Sequence, residues 1–292
     1  RLCRGSRRGV EDHGRARRGV DRITHTIVVL PSSSLIAREC KNLSRDPLCC
    51  APPPPSSNCD TDAMASATNT QYVWYGSFGS NLNSERFACY LRGGKVAGMS
   101  IQQPGARDTH VPFRIPPTSD CPTASMVVPH RMFFAKVSPW WSNGGVAFLD
   151  CEKKEENEEL HTHLRLWRIS LEQFSDVFAQ ENGLHPAEFH ERFTKEEVLA
   201  MAERGGGDHR IGNGSWYGYV KALGAFTEAG AVEPILTFTL PPVELEAIRS
   251  GVVDEVNPPS MGYHDVIARG LVELGLEATE ADAYLRARYS LR

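Results

Sequence analysis

From residue 71 onward, apolar positions recur with a period that switches between two and about 3.6. The stretch "QYVWYG" (71–76) is aromatic and β-branched and predicts a strand. "SNLNSERFACYL" follows, where Asn83 or Ser84 caps a short helix through Leu91 that Gly93 and Gly94 stop. Residues 131–137, 144–150 and 164–169 read as strands. The next segment, "SLEQFSDVFAQENG", predicts a helix opened by a Ser170/Gln173 capping box and stopped at Asn182-Gly183. Strands are expected again at 216–223 and 233–240. Three helices then follow: one opened by prolines in "PPVELEAIRSG", one capped by Ser260 in "PPSMGYHDVIARGLVELG", and one in "TEADAYLRARY". The Pro-rich stretch 102–122 reads as loop with a short strand, and the acidic run 151–160 as a solvated loop or fraying helix. There is no internal repeat and no strict βαβ alternation. The expected class is therefore α+β, a small closed or nearly closed sheet flanked by helices.

The first 69 residues break this pattern. "RLCRGSRRGVEDHGRARRGVDR" is Arg/Gly-rich without an apolar period, and "APPPPSSNCDTDA" is a Pro/Ser linker. Neither can bury enough apolar surface to offset ordering entropy. The expected division is a disordered or non-native extension over 1–69 and one domain over 70–292. Met64 is the expected natural start, and organelle targeting by residues 1–63 is the alternative.

Charge sharpens this division. The 292 residues carry a net charge of -4. Residues 1–63 hold 11 Lys+Arg and 7 Asp+Glu, and the remainder 21 and 29, so the body is acidic at -8. That argues against a general nucleic-acid binder. No apolar run reaches the ~20 residues of a membrane span. Cys89, Cys121 and Cys151 of the body are widely spaced and form no CxxC pair, which suggests neither a zinc site nor a disulfide framework. Reduced thiols in a cytoplasmic protein are the expectation. His161 and His163 would share a face of a strand, but no third metal ligand can be placed beside them, so they read as surface histidines.

Two features could carry chemistry. The loop "GSFGSNL" (76–82) sits between a strand and a helix N-terminus, where unpaired N–H groups and the helix dipole suit an anion. A tight turn without a ligand fits the same residues. In the helix 171–181, Leu171, Phe174, Val177, Phe178 and Glu181 fall on one face. Glu181 then either faces the core, where desolvation raises its pKa into a useful acid/base range, or points into water at a frayed end. Tyr263 fits either a core tyrosine or a substrate contact. No G-x-S-x-G elbow and no Cys/His pair for a thiol nucleophile is present.

In this order the pieces resemble the γ-glutamylcyclotransferase-like family. The family's Tyr-Gly-Ser-Asn-Leu motif appears as Phe78-Gly79-Ser80-Asn81-Leu82, its catalytic Glu at a helix end as Glu181, and its late Pro-Ser-x-x-Tyr helix as Pro259, Ser260 and Tyr263, with Gly270 and Gly275-Leu276 beyond. The resemblance spans about residues 72 to 290. It implies a mixed β-barrel flanked by helices, and a cavity where Phe78, Gly79, Ser80, Asn81, Leu82 and Tyr263 hold a γ-glutamyl amide. Glu181 would act as general acid/base while the glutamyl α-amine attacks its own γ-carbonyl to give 5-oxoproline. No cofactor and no metal is implied, and the partner is that small molecule, with no nucleic acid and no membrane. A related enzyme on another small amide, or a silent binding protein, is the alternative. Two departures stand out: Phe78 replaces the usual Tyr, and Asn182 separates Glu181 from Gly183; the loops 104–125 and 203–214 are further places where the cavity could be reshaped for a different amide.

Overall fold

The strand β1 (Tyr72–Ser77) alternates as its sequence dictates, with Val73 and Tyr75 on one face and Trp74 on the other, all buried. A computed structural model describes residues 71–107, 125–154, 157–209, 215–228 and 231–290. The N-terminal extension, the proposed start at Met64, and residues 108–124 and 210–214 of the two long loops lie outside these residues; within the second, Gly206–Asp208 form a strand rather than loop.

β1 pairs antiparallel with β5 (Thr162–Ser170) and parallel with β8 (Ala231–Thr239). β5 also pairs with β2 (Ser125–Val128), β8 with β7 (Tyr219–Glu228), and β7 with β6 (Gly206–Asp208). The resulting six-stranded mixed sheet has the order β2-β5-β1-β8-β7-β6. A second, two-stranded sheet is the hairpin β3 (His130–Ser138) and β4 (Gly144–Lys153).

Val73, Tyr75, Trp167, Ile169 and Phe238 face one core, covered by α1 (Ser84–Arg92), α2 (Leu171–Glu181) and α3 (Lys195–Arg204). Trp74, Leu164, Leu166 and Ile235 face the other core with the β3–β4 hairpin. This core also takes in α4 (Pro242–Arg249), α5 (Met261–Glu273) and α6 (Ala278–Arg286). The expected caps form: Asn83, Ser170 and Ser260 each accept a backbone N–H of their helix, and Ser170/Gln173 close a capping box.

The fold is mixed α+β, but the expected closed barrel is not found among the described residues. Pro129, which has no N–H to donate, ends β2 and separates it from β3. Beyond it, side chains replace the ladder. Thr162 Oγ1 donates to His130 O at 2.6 Å, tying the hairpin to β5. Thr239 Oγ1 donates to Leu149 O at 2.7 Å and accepts from Leu149 N at 3.0 Å, tying it to β8. Two threonine hydroxyls thus make the junctions that barrel closure would make with main chain.

Two further expectations change. The strand foreseen at 216–223 begins at Tyr219, and Trp216 and Tyr217 stand in a turn before it. The acidic run is neither wholly loop nor helix, since β4 continues through Lys153 and a 3₁₀ turn covers Glu158–Leu160.

Gly270 of α5 fixes where the Gly-Ser-Asn loop lies. A Cβ there would sit 2.5 Å from Leu82 Cβ and 2.6 Å from Asn83 N. In an exposed helix Gly→Ala stabilises by about 1 kcal/mol. Here the contact is mainly with backbone, so Gly270→Ala is expected to reverse that sign and cost about 1–3 kcal/mol of unfolding free energy. Urea titration of both proteins checks it.

Candidate active site

The end of β1 delivers the loop to one end of the sheet. Its last residue, Ser77, donates through Oγ to Asn81 O at 2.9 Å, and Trp167 Nε1 donates to the same carbonyl at 3.0 Å. Leu82 N donates to Gly79 O, closing a 3₁₀ turn over Ser80–Leu82. These bonds turn the Asn81 side chain inward.

There it meets α2. Asn81 Nδ2 donates to Glu181 Oε1 at 2.6 Å, joining residues 100 positions apart, and lies 3.2 Å from Tyr75 Oη. Glu181 therefore faces the interior rather than a frayed end. It retains partial exposure and lines a cavity of about 260 Å³ whose wall also includes Ser80, Arg86, Tyr90 and Tyr263. Behind it a hollow of about 20 Å³ is bounded by Tyr75, Phe78, Gly79, Asn81 and Tyr263, among others. A cavity of 260 Å³ lies near the lower end of small-molecule sites, which run from about 300 to 1,000 Å³.

The electrostatics favour a proton-carrying carboxyl. Burial pushes the Glu181 pKa above the ordinary carboxylate range, opposed by the Arg86 charge and by hydrogen bonds from Tyr90 and Asn81. Its place on the last turn of α2, at the negative end of the dipole, acts in the same direction as burial. The surrounding phenols stay neutral. Burial raises Tyr75, Tyr90 and Tyr217 well above 10, and Tyr263 to about 12. Tyr263 Oη accepts Ala147 N–H at 3.2 Å. A Cβ on Gly79 would stand 3.0 Å from that oxygen, so glycine is what lets the loop reach Tyr263.

The anion cradle differs from the one expected at the start of α1. Glu273 of α5 already occupies that helix end: Ser84 N donates to its Oε2 at 3.1 Å and Asn83 Nδ2 to its Oε1 at 2.7 Å. The loop instead presents the 3₁₀ turn to the cavity. Of the expected contacts, Ser80, Glu181 and Tyr263 line the cavity. Gly79, Asn81 and Phe78 bound the deeper hollow. Leu82 does neither; it is fully buried against α5, as its contact with Gly270 shows.

Sequence reasoning passed over Arg86. Its side chain lies in the cavity wall, 1% exposed, with the guanidinium 4.0 Å from the Tyr90 ring centroid. Nε and Nη1 are buried without a hydrogen-bond partner. Such a cation is costly unless something anionic meets it. The signal was there to read: Arg86 and Tyr90 are four apart on α1, so they share a face just after the Gly-Ser-Asn loop. The free thiols do not compete for a role as nucleophile. Burial raises the Cys89 pKa, and raises Cys151 to about 11. Among the described residues no three His, Cys, Asp or Glu side chains converge on a metal position, and no helix is long and apolar enough to cross a membrane.

No protein-family model matches the chain. The chain is 38% identical over 215 residues to histone deacetylase 5 of Arabidopsis thaliana; the matched stretch is 73% of this chain and 30% of that protein. The chain thus spans under a third of the length of that relative. Among solved structures, a γ-glutamyl cyclotransferase aligns over 75% of this chain and 88% of its own, at 14% identity and a TM-score of 0.37. A superposition that loose supports no conclusion about this chain.

Proposed function

We propose that the cavity binds a γ-glutamyl amide and cyclises it to 5-oxoproline with release of the amine. The observation that carries this reading is the 2.6 Å contact between Asn81 and Glu181, which sets a carboxyl of raised pKa against the Gly-Ser-Asn loop. Arg86 would take the substrate's α-carboxylate, satisfying the unpartnered guanidinium nitrogens. Held folded, the α-amine nitrogen attacks the γ-carbonyl carbon. Confinement gives that attack a large effective molarity. Glu181 accepts a proton from the attacking nitrogen and returns one to the leaving nitrogen as its C–N bond breaks. Tyr263, held neutral, and the loop backbone face the oxygen where charge develops. The step is redox-neutral and consumes no water.

Deacetylation, named for the Arabidopsis relative, is not assigned to this chain, because the shared stretch is a minority of that protein.

The test is product analysis with the full chain and a panel of L-γ-glutamyl amides. The expected result is 5-oxoproline and free amine in equal amounts from at least one member. A folded protein that releases neither from any member refutes the reading.

A further inference from the structure

Two turns of the cavity wall each carry indole. One, the 3₁₀ turn Pro139–Trp141, is anchored where Ser100 N and Ser100 Oγ both donate to Trp140 O at 3.1 Å. Trp141 is buried against Tyr263, with ring centroids 4.8 Å apart, while Trp140 stays half-buried and lines the cavity. A Cβ on Gly183 would sit 3.8 Å from Trp140 Cζ2, so this indole stands just beyond the end of the Glu181 helix.

A second part of the wall is the turn carrying Trp216 and Tyr217. Asn182 holds it in place. Its Oδ1 accepts Tyr217 N–H at 3.0 Å and the Ser215 hydroxyl, and its Nδ2 donates to Phe178 O at 2.9 Å within α2. Tyr217 is fixed further, stacked on Phe148 at 5.0 Å and donating from Oη to Ala147 O at 2.9 Å. Asn182 is the residue that separates Glu181 from Gly183. The same insertion that looks like a departure in the sequence fastens an aromatic wall beside the reactive carboxyl. Among the described lining residues the only charged side chains are Arg86 and Glu181.

Resting on the cyclisation reading, we infer that this aromatic part of the cavity is a leaving-group subsite for a flat, uncharged aromatic amine, with Trp140 and Trp216 in its wall and Asn182 as the positioning residue. Aromatic faces favour planar apolar groups by geometry as well as by area, and the preference appears as a ratio of kcat/KM between amides.

Steady-state kinetics on L-γ-glutamyl-p-nitroanilide and L-γ-glutamylmethylamide test it. The anilide should have the higher kcat/KM, and should also exceed γ-glutamylalanine, whose leaving group carries a carboxylate. Trp140→Ala and Trp216→Ala should each raise KM for the anilide about fivefold to tenfold and leave KM for the methylamide within about twofold. Asn182→Ala should show the same split, which a general loss of structure would not produce. Equal losses on both amides, or a faster reaction with γ-glutamylalanine, overturn the subsite. If no amide releases 5-oxoproline, calorimetric binding of the anilide separates the two claims. Binding that weakens in Trp140→Ala upholds the subsite while the cyclisation reading falls. No binding of the anilide overturns the subsite as well.

Discussion

Glu181→Gln is expected to lower kcat for 5-oxoproline release by about 10²–10⁴-fold, the usual worth of a positioned general acid/base, while making the folded protein more stable at neutral pH. The first effect follows because glutamine keeps the shape and the contact with Asn81 but cannot carry a proton. The second follows from linkage. Burial raises the folded pKa of Glu181 above its unfolded value. The contribution this carboxyl makes to stability is therefore fully present below the unfolded pKa and is lost as pH rises through the folded one. At pH 7 the ionised group is a net cost in the fold, and the neutral amide removes that cost. Thermal melts of the two proteins should diverge at neutral pH and converge below the ordinary carboxylate range. In the parent protein kcat/KM should fall as pH drops through the raised pKa, since the base must be ionised to accept a proton. A Gln variant that keeps its rate would move the proton transfer to another group.

Arg86→Met should raise KM for γ-glutamyl amides by about tenfold to a hundredfold, the worth of a charge-assisted hydrogen bond of about 1.5–3 kcal/mol. It should leave stability little changed, because the desolvation relieved at Arg86 is set against the loss of its attraction to Glu181. Its two unpartnered nitrogens gain a hydrogen-bond acceptor only when a substrate carboxylate arrives. Methionine fills a similar volume without that desolvation, though it gives up the guanidinium's contact with Tyr90. Because the Arg86 charge holds the Glu181 pKa down, the acid limb of the pH profile should also move to higher pH in the variant. Substrate titrations and melts together decide the matter. A variant with unchanged KM and a lower melting temperature would make Arg86 a structural residue.

Much of the molecule is readable from residue order, and the exceptions have identifiable causes. The caps at Asn83, Ser170 and Ser260 were legible because capping is local chemistry within four residues. The meeting of Asn81 and Glu181 was not a local property. It rested on a family resemblance, since no periodicity brings together residues 100 apart. α3 went unread although Thr194 and Glu197 form a capping box and Gly205 ends the helix. Its buried members, Val198 and Met201, are too few to make a periodic stripe stand out. Barrel closure was misjudged because it turns on Pro129 and on two threonine side chains, not on strand count. Trp216 and Tyr217 read as strand by composition, but Asn182 bends them into a turn from 35 positions away. Arg86 was overlooked because a cation on a short helix normally faces water, and only the fold shows that this one is 1% exposed.

The reaction itself is decided most directly by running it in ¹⁸O-enriched water with a γ-glutamyl amide and analysing the product by mass spectrometry. Intramolecular attack by the α-amine predicts 5-oxoproline without the heavy isotope, equal to the amine released. Glutamate carrying one ¹⁸O would show that water is the nucleophile, and would contradict cyclisation at the Asn81–Glu181 site.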